Sequence, residues 1–306
     1  MTITLFENHR AVFYTPFYAA YALGAYRAEG VEVRLETSSD PPAATRALLA
    51  GEADVSWGGP MRILLTYDQD PDCGLVAFAE AVTRDPFFLI GSEPRPEFAL
   101  DDLQGLRLAT VAEVPTPWLC LQDDMRRAGL DPAALDRVDD QGMAENAEAL
   151  RAGRFDVVQV YEPHAERLLA DGAGHIWYTA AERGATAYTT LFTTTATLAD
   201  KPAVLAAMTR ALYRMQKWLD AASPETIRTT IADFFPDLEP AILGGAIARY
   251  KEIGVWGRNP ILPRDGFERL KAACLSGGLI ARGTDYEACV DTGLAEAAIA
   301  TDPPAM

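Results

Sequence analysis

One phrase occurs twice in this chain. Ala47-Leu48-Leu49-Ala50-Gly51-Glu52-Ala53-Asp54-Val55 returns as Ala149-Leu150-Arg151-Ala152-Gly153-Arg154-Phe155-Asp156-Val157, displaced by 102 residues without a gap. Each copy has an apolar run of helical character, a Gly suited to the left-handed position after a helix end, then Asp and the start of an apolar strand. Each strand runs into a Pro-bearing turn, Val55-Ser56-Trp57-Gly58-Gly59-Pro60 in one copy and Val157-Val158-Gln159-Val160-Tyr161-Glu162-Pro163 in the other. Common residue types alone can produce such a match by chance. The strand–helix alternation around both copies favours the other reading, one helix–strand–loop unit built in each of two α/β lobes. Open α/β sheets bind ligands beyond the carboxyl ends of their strands, so the two loops are expected to face one ligand across a cleft.

Length agrees with two lobes, because 306 residues exceed one ordinary core. Charge narrows the partners. A net charge of -17 repels phosphate backbones, which argues against nucleic acid. No concentrated Lys/Arg run suits an anionic membrane, and no run of 18 apolar residues suits a membrane span. Cys73, Cys120, Cys274 and Cys289 show no C-x-x-C spacing, and His9, His164 and His175 lie far apart, so neither a metal nor any other cofactor is expected. A Cys274–Cys289 bridge is conceivable, with separate buried thiols the alternative favoured. A strand pattern, Thr2-Ile3-Thr4-Leu5-Phe6, follows Met1 almost at once, with no basic and apolar leader before it. As written the chain reads as cytoplasmic; it reads as periplasmic if an export signal has been removed.

Along the chain the patterns predict strands near 3–6, 31–35, 54–57, 75–79 and 87–90, with helices over 17–28, 42–50 and 62–67. Glu93-Pro94-Arg95-Pro96-Glu97 reads as a linker. A second round follows: strands at 106–110, 136–138 and 156–160, and helices over 117–128, 144–152 and 163–170. The Thr- and aromatic-rich stretch 188–195 reads as a strand crossing back to the first lobe. Beyond it the pattern is helical, over 204–221, 224–234, 239–250, 265–275 and 285–298. The expected division is lobe I over 1–92 and 191–306, lobe II over 93–190, with links near Glu93 and Thr190.

Three stretches then resemble a known family. The run from Phe13-Tyr14-Thr15-Pro16-Phe17 through Leu23-Gly24-Ala25-Tyr26 to Glu29-Gly30-Val31 resembles the opening of the sulfonate/nitrate/taurine-binding and thiamine-pyrimidine family. Ala47–Gly59 resembles its A-L-x-x-G-x-A-D-V-x-x-G segment, and the helix over 204–219 its first helix after the return crossing. The resemblance implies an α/β type II periplasmic-binding-protein fold with a hinge and an interlobe cleft. Most such members are exported receptors for ABC importers, and a minority are intracellular enzymes on the same scaffold. This chain lacks the C-C-C-F-C run of the eukaryotic-type pyrimidine synthases. It has Phe13-Tyr14-Thr15-Pro16 where the desulfinase places a nucleophilic Cys, and no lysine occurs in its first 200 residues. These departures favour a binder.

Several loops can carry the chemistry. His9-Arg10-Ala11-Val12-Phe13-Tyr14-Thr15 offers a cation, aromatics and a hydroxyl at a helix start, where backbone N–H groups favour an anion; Tyr14 and Phe17 can equally staple the helix entry. Ser38-Ser39-Asp40 can donate hydroxyls or cap the next helix, capping being favoured for Asp40. In Trp57-Gly58-Gly59-Pro60-Met61-Arg62 the glycines admit close backbone approach, Trp57 offers a flat face and Arg62 a two-point clamp for an acid. The alternative places Trp57 in the core and Arg62 on a surface acid. In the second lobe, Thr116 and Trp118 open a helix with Cys120 just inside it, as nucleophile or as packing. Glu162 and His164 can form an acid–base pair, or bind an amine and cap a helix. Tyr161 closes the repeat, and Tyr188, Thr190 and Phe192 lie on the crossover strand, which lines the cleft in the family.

Two function classes follow. The favoured one is a solute-binding protein of the ABC-transporter type holding a small aromatic or heteroaromatic organic acid, with an importer membrane subunit as partner in the exported case. The alternative is an intracellular enzyme of decarboxylase, desulfinase or thiamine-pyrimidine-synthesis type, with Glu162, His164 and Cys120 as its catalytic groups.

Overall fold

The computed structural model describes residues 2–38 and 40–306. Both copies of the repeated phrase fold identically, down to their hydrogen bonds. Helix Pro41–Leu49 ends as Gly51 N–H reaches Leu48 O and Glu52 N–H reaches Ala47 O; helix Met143–Arg151 ends with Gly153 N–H on Leu150 O and Arg154 N–H on Ala149 O. Both glycines hold the left-handed conformation this closure requires, at φ 73° and 68°. The aspartates that follow serve the sheets. Asp54 Oδ2 accepts Thr4 N–H at 2.8 Å while Asp54 N–H returns to Thr4 O, and Asp156 Oδ2 accepts Arg107 N–H at 2.7 Å while Asp156 N–H returns to Arg107 O. Each aspartate thus clamps the next strand onto the first strand of its sheet.

The first sheet has the order β2-β1-β3-β10-β4, from strands β1 (Thr2–Glu7), β2 (Glu32–Thr37), β3 (Val55–Gly58), β4 (Leu75–Val82) and β10 (Thr189–Thr194). The second has the order β7-β6-β8-β5-β9, from β5 (Phe88–Gly91), β6 (Arg107–Ala109), β7 (Asp136–Val138), β8 (Val157–Val160) and β9 (His175–Thr179). In each, four strands point the same way and one inserted strand is antiparallel to both its neighbours: β10 in the first, β5 in the second. Each sheet takes that strand from a segment that has just crossed from the other half.

Strand pairing suggests other crossing points than those expected near Glu93 and Thr190. Strand β5 already belongs to the second sheet, and Thr189 and Thr190 already belong to the first. We propose the crossings at 83–87 and 184–188 as the lobe boundaries. The stretch Glu93–Glu97 is not the link: Trp177 Nε1 donates to Glu93 O at 2.7 Å and the Arg95 guanidinium lies 4.5 Å from the Trp177 ring, which fastens it to β9. Strand β9, in a stretch that carries no predicted element, is half-buried at the sheet edge and lacks an alternating pattern. The helix expected over 17–28 breaks at Gly24, whose φ of 68° separates Thr15–Ala22 from Ala25–Ala28. The four cysteines are free, so no Cys274–Cys289 bridge forms.

The C-terminal helices lock the architecture. Pro202–Ala221 lies on the first lobe's opening helices, where Arg210 and Arg214 both pair with Glu29, at 2.9 and 3.0 Å. Pro240–Glu252 reaches the second half, where Arg249 Nη1 meets Glu162 at 2.5 Å and Glu166 at 2.8 Å. Among the described residues no helix is long and apolar enough to cross a membrane.

If the aspartate clamp carries the duplicated unit, Asp156→Ala should lower the unfolding free energy by about 1–2 kcal/mol, the worth of a charged acceptor bond to a backbone N–H near the surface. Arg107→Met, which removes the exposed ion pair at 3.6 Å and the Nη2 hydrogen bond to Gly153 O at 3.0 Å but leaves the backbone exchange with Asp156 intact, should cost about 1 kcal/mol or less. Urea unfolding followed by circular dichroism compares them, and equal losses would assign the effect to the ion pair instead.

Candidate functional site

Parallel order places the ends of β1 and β3, and of β6 and β8, at one edge of their sheets, while the antiparallel β5 and β10 begin there. Every residue lining the cavity between the sheets comes from these six points. Asn8, His9, Phe13 and Tyr14 follow β1; Gly59, Met61 and Arg62 follow β3; Val114 and Thr116 follow β6; Tyr161 follows β8; Phe87 precedes β5; Ala187 and Tyr188 precede β10. The enclosed space is about 40 Å³, enough for a few waters.

Its walls are aromatic. The Phe13 ring meets Tyr161 edge-on at 5.3 Å and Tyr188 at 6.0 Å, and Phe87 meets Tyr161 at 5.0 Å. Phe13 comes from the first half and Tyr161 from the second, so the halves touch through these rings. Trp256 Nε1 donates to Phe13 O at 2.9 Å and holds that loop in place.

Set into this apolar wall is a cation. Arg62 stands in the first turn of helix Met61–Gln69, half-buried, and among the described residues its guanidinium has no ion-pair partner. Burial lowers its pKa, with the charges of Tyr14 and Asp40 pulling the other way. His9 is kept neutral: burial first, then the Arg62 charge, brings its pKa from 6.5 to about 4. Burial raises the Tyr14, Tyr161 and Tyr188 phenols, so they remain hydrogen-bonding groups without charge. Asn8 Oδ1 and His9 Nδ1 are buried without a partner among the described residues. Thr116 opens a twelve-residue helix whose first N–H groups have no side-chain cap, a further place for an anion. The site therefore offers one positive charge, neutral polar groups and flat apolar walls.

Of the expected residues, Tyr14, Gly59, Arg62, Thr116, Tyr161 and Tyr188 line this cavity. The others do not, each for a local reason. Arg10 turns outward onto Glu7 at 2.7 Å and Phe234 O at 2.8 Å. Thr15 is buried with its hydroxyl on Val12 O at 2.6 Å, and Ser38 donates to Asp40 O. Ser39 lies outside the described residues. Trp57 is fully buried, stacked on Phe17 at 4.7 Å and 4°. Gly58 lies within β3, where a Cβ would come 3.2 Å from the Phe192 ring; a Cβ on Gly59 would come 3.3 Å from Tyr188 O, so this glycine admits backbone as well as lining the cavity. Trp118 lies under the Arg137 guanidinium at 4.4 Å. Thr190 is buried between β3 and β4, and its sheet neighbour Phe192 packs in the core.

The catalytic trio is not assembled. Cys120 is buried in the core and burial raises its thiol pKa strongly, the reverse of an activated nucleophile. The Glu162 carboxylate is engaged by Arg249 and by Glu166 N–H at 2.7 Å. His164 stands at a helix start beyond Tyr161, neutral, with its pKa lowered to about 4 by burial and by Arg167 and Arg151. Asn8, Met61, Phe87 and Ala187 are lining residues the sequence did not single out. Asn8 directly follows β1 and was open to discovery, whereas Phe87 and Ala187 depend on which sheet takes the crossing strands.

A family model described as NMT1/THI5 like matches residues 12–226. The chain belongs to the NMT1/THI5-like family. Among curated proteins it is 25% identical over 292 residues to "Putative binding protein YtlA" of Bacillus subtilis (strain 168), covering 95% of this chain and 87% of that one. Among solved structures it resembles the periplasmic aliphatic sulphonate binding protein SsuA from Escherichia coli, with TM-score 0.75, 15% identity, and 94% and 96% of the two chains covered. The desulfurization enzyme DSZB aligns at TM-score 0.74 and 14% identity over 98% of this chain and all of that one, 100%. This NMT1/THI5-like chain thus has the type II periplasmic-binding-protein fold, a scaffold shared by solute receptors and an enzyme.

The buried neutral His9 has a measurable consequence. Unfolded, it takes up its proton near 6.5; folded, only near 4. The unfolded state binds more protons in that window, so stability is full above 6.5 and is lost as pH falls through 4. His9→Gln should remove on the order of 1–3 kcal/mol of that loss, with His164 supplying a remaining slope. Thermal melts at stepped pH test it, and an unchanged slope in His9→Gln would place the histidine in solvent.

Proposed function

We propose that this protein is a solute-binding protein of the ABC-import type, and that its interlobe cavity holds a small aromatic or heteroaromatic organic acid. The observation that carries this reading is Arg62: a half-buried cation, without an ion pair among the described residues, enclosed by aromatic rings from both halves. Such a charge favours a carboxylate or sulfonate, which a guanidinium can bind through two parallel hydrogen bonds. The edge-to-face Phe13, Tyr161, Tyr188 and Phe87 cluster suits a flat ring. Asn8 Oδ1 adds a condition, since a buried unpaired acceptor is served by a ligand bearing an N–H or O–H. The printed names of YtlA and SsuA support a binding role, and SsuA's names an acidic solute. An importer's membrane subunit would be the partner, with the protein working outside the inner membrane.

On this reading, ring contacts between the halves couple affinity to closure. Purified protein screened by thermal shift and fluorescence against aromatic carboxylates, sulfonates and pyrimidine acids should show saturable binding. Arg62→Ala should weaken the best ligand about 10–100-fold, the loss of a charge-assisted pair. Saturation only by sugars or metal ions would overturn the reading. Mass spectrometry of the incubated ligand separates binder from enzyme: recovered unchanged ligand supports the receptor, and a product would move the assignment to catalysis.

A further inference from the structure

A second cavity lies away from the cleft, along the outer edge of β4. There the segment 255–260 covers the sheet edge: Thr83 N–H reaches Val255 O at 2.9 Å, Gly257 N–H reaches Ala81 O at 3.0 Å, and Glu80 N–H reaches Pro260 O at 2.8 Å. Between that segment and β4 lies a hollow of about 320 Å³, open to solvent on one side and larger than the cleft cavity, and the two share no lining residue. A smaller hollow of about 60 Å³ adjoins it through Trp256, Gly257 and Arg258 and reaches Gln216.

The lining is chemically specific. Glu80 is 1% exposed and its Oε1 has no partner; Gln216, also 1% exposed, leaves its Oε1 unpaired in the adjoining hollow. Arg84 is half-buried, has only a long 3.5 Å bond to Ile253 O, and pairs with no carboxylate among the described residues. Arg258 is exposed, 3.3 Å from Asp220. Trp256, Ile261 and Pro263 supply the apolar wall. Buried unpaired polar atoms in native proteins call for a partner, and these two oxygens have none among the described residues.

We propose that this cavity is a second binding site, taking a small organic anion whose charged end meets Arg84 and Arg258 at the mouth and whose far end hydrogen-bonds Glu80. The depth order follows from exposure, with Arg258 outermost and Glu80 innermost. Full burial raises the Glu80 pKa well above the ordinary carboxyl range, opposed by a hydrogen bond from the Thr83 side chain and reinforced by the charge of Asp265, which favours the neutral carboxyl group, able to donate as well as accept. The occupant is therefore an anion with a neutral hydroxyl or amide remote from its charge and a flat body between. Trp256 lines this cavity while its indole N–H holds Phe13 O, so the two sites share one hydrogen bond as their wall.

The probe is 4-hydroxybenzoate, with benzoate as the control lacking the remote hydroxyl. The host is Arg62→Ala, in which the cleft's own cation is gone, so the outcome does not depend on what the cleft binds. By calorimetry, one equivalent of 4-hydroxybenzoate should bind, benzoate about tenfold more weakly, and the Trp256 indole N–H resonance (identified with Trp256→Phe) should move on titration. Adding Arg84→Ala or Glu80→Leu should cost about tenfold or more, whereas Glu80→Gln, which keeps a donor, should stay within about threefold. Arg84 is half-exposed, so its variant remains informative if Glu80→Leu fails to fold. Absence of binding to millimolar probe in the Arg62→Ala host, or binding indifferent to Arg84→Ala, would overturn the proposal.

Discussion

Everything in this molecule hangs on how the third strand of each lobe is fastened to the first. Asp54 and Asp156 each exchange two hydrogen bonds with the opening strand, side chain to N–H and N–H to carbonyl, at equivalent positions of the two sheets. That exchange fixes β3 beside β1 and β8 beside β6 in parallel register. Parallel strands send their carboxyl ends to the same edge, so four loops converge there. The left-handed Gly51 and Gly153 make the clamp reachable by turning the chain from helix end into strand within a few residues. The repeated phrase is thus structural, and it places the site without contributing a residue to the cavity.

The exchanged strands supply the rest. Because β5 and β10 run against their neighbours, their amino ends meet the others' carboxyl ends, which brings Phe87 and Tyr188 into the cavity. Both crossings are tied at one buried point: Arg183 on the return passage pairs with Asp85 on the outward passage at 2.5 Å and with Asp124 in the second lobe's first helix. Two carboxylates share one buried guanidinium there, and the Tyr178 hydroxyl donates to Asp124 at 2.7 Å. A buried pair broken by removal of one partner is strongly destabilising, so this cluster holds the two crossings together.

The sequence revealed the duplication, the two sheets and the loops that bear the site, because helix ends, glycines and apolar runs are local signals. It was less informative about which side chain of a loop faces the cavity. Strands β3, β4, β5 and β8 are buried on both faces, so no alternation distinguishes core from cleft. Trp57 and Gly59 are two residues apart, yet one stacks in the core and the other lines the cavity. Glu162 looked catalytic beside His164, but its partner Arg249 lies 87 residues away on a helix that packs across from the other lobe. Phe87 stands where the chain crosses into β5, and nothing local tells a strand which sheet will receive it.

Closure and electrostatics act together in the cleft. Phe13, Phe87, Tyr161 and Tyr188 exclude water from Arg62 only when the two halves meet, since Tyr161 and Phe13 come from opposite sides. Withdrawing water strengthens any charge interaction made there, so an anion on Arg62 binds the closed arrangement better than an open one. An empty closed site instead leaves the guanidinium desolvated and unpaired, which is the condition that lowers its pKa. If the solute is the acid proposed above, burial of one cation ties ligand charge to lobe position: the acid offsets the cost of closing, and a neutral solute of the same shape does not.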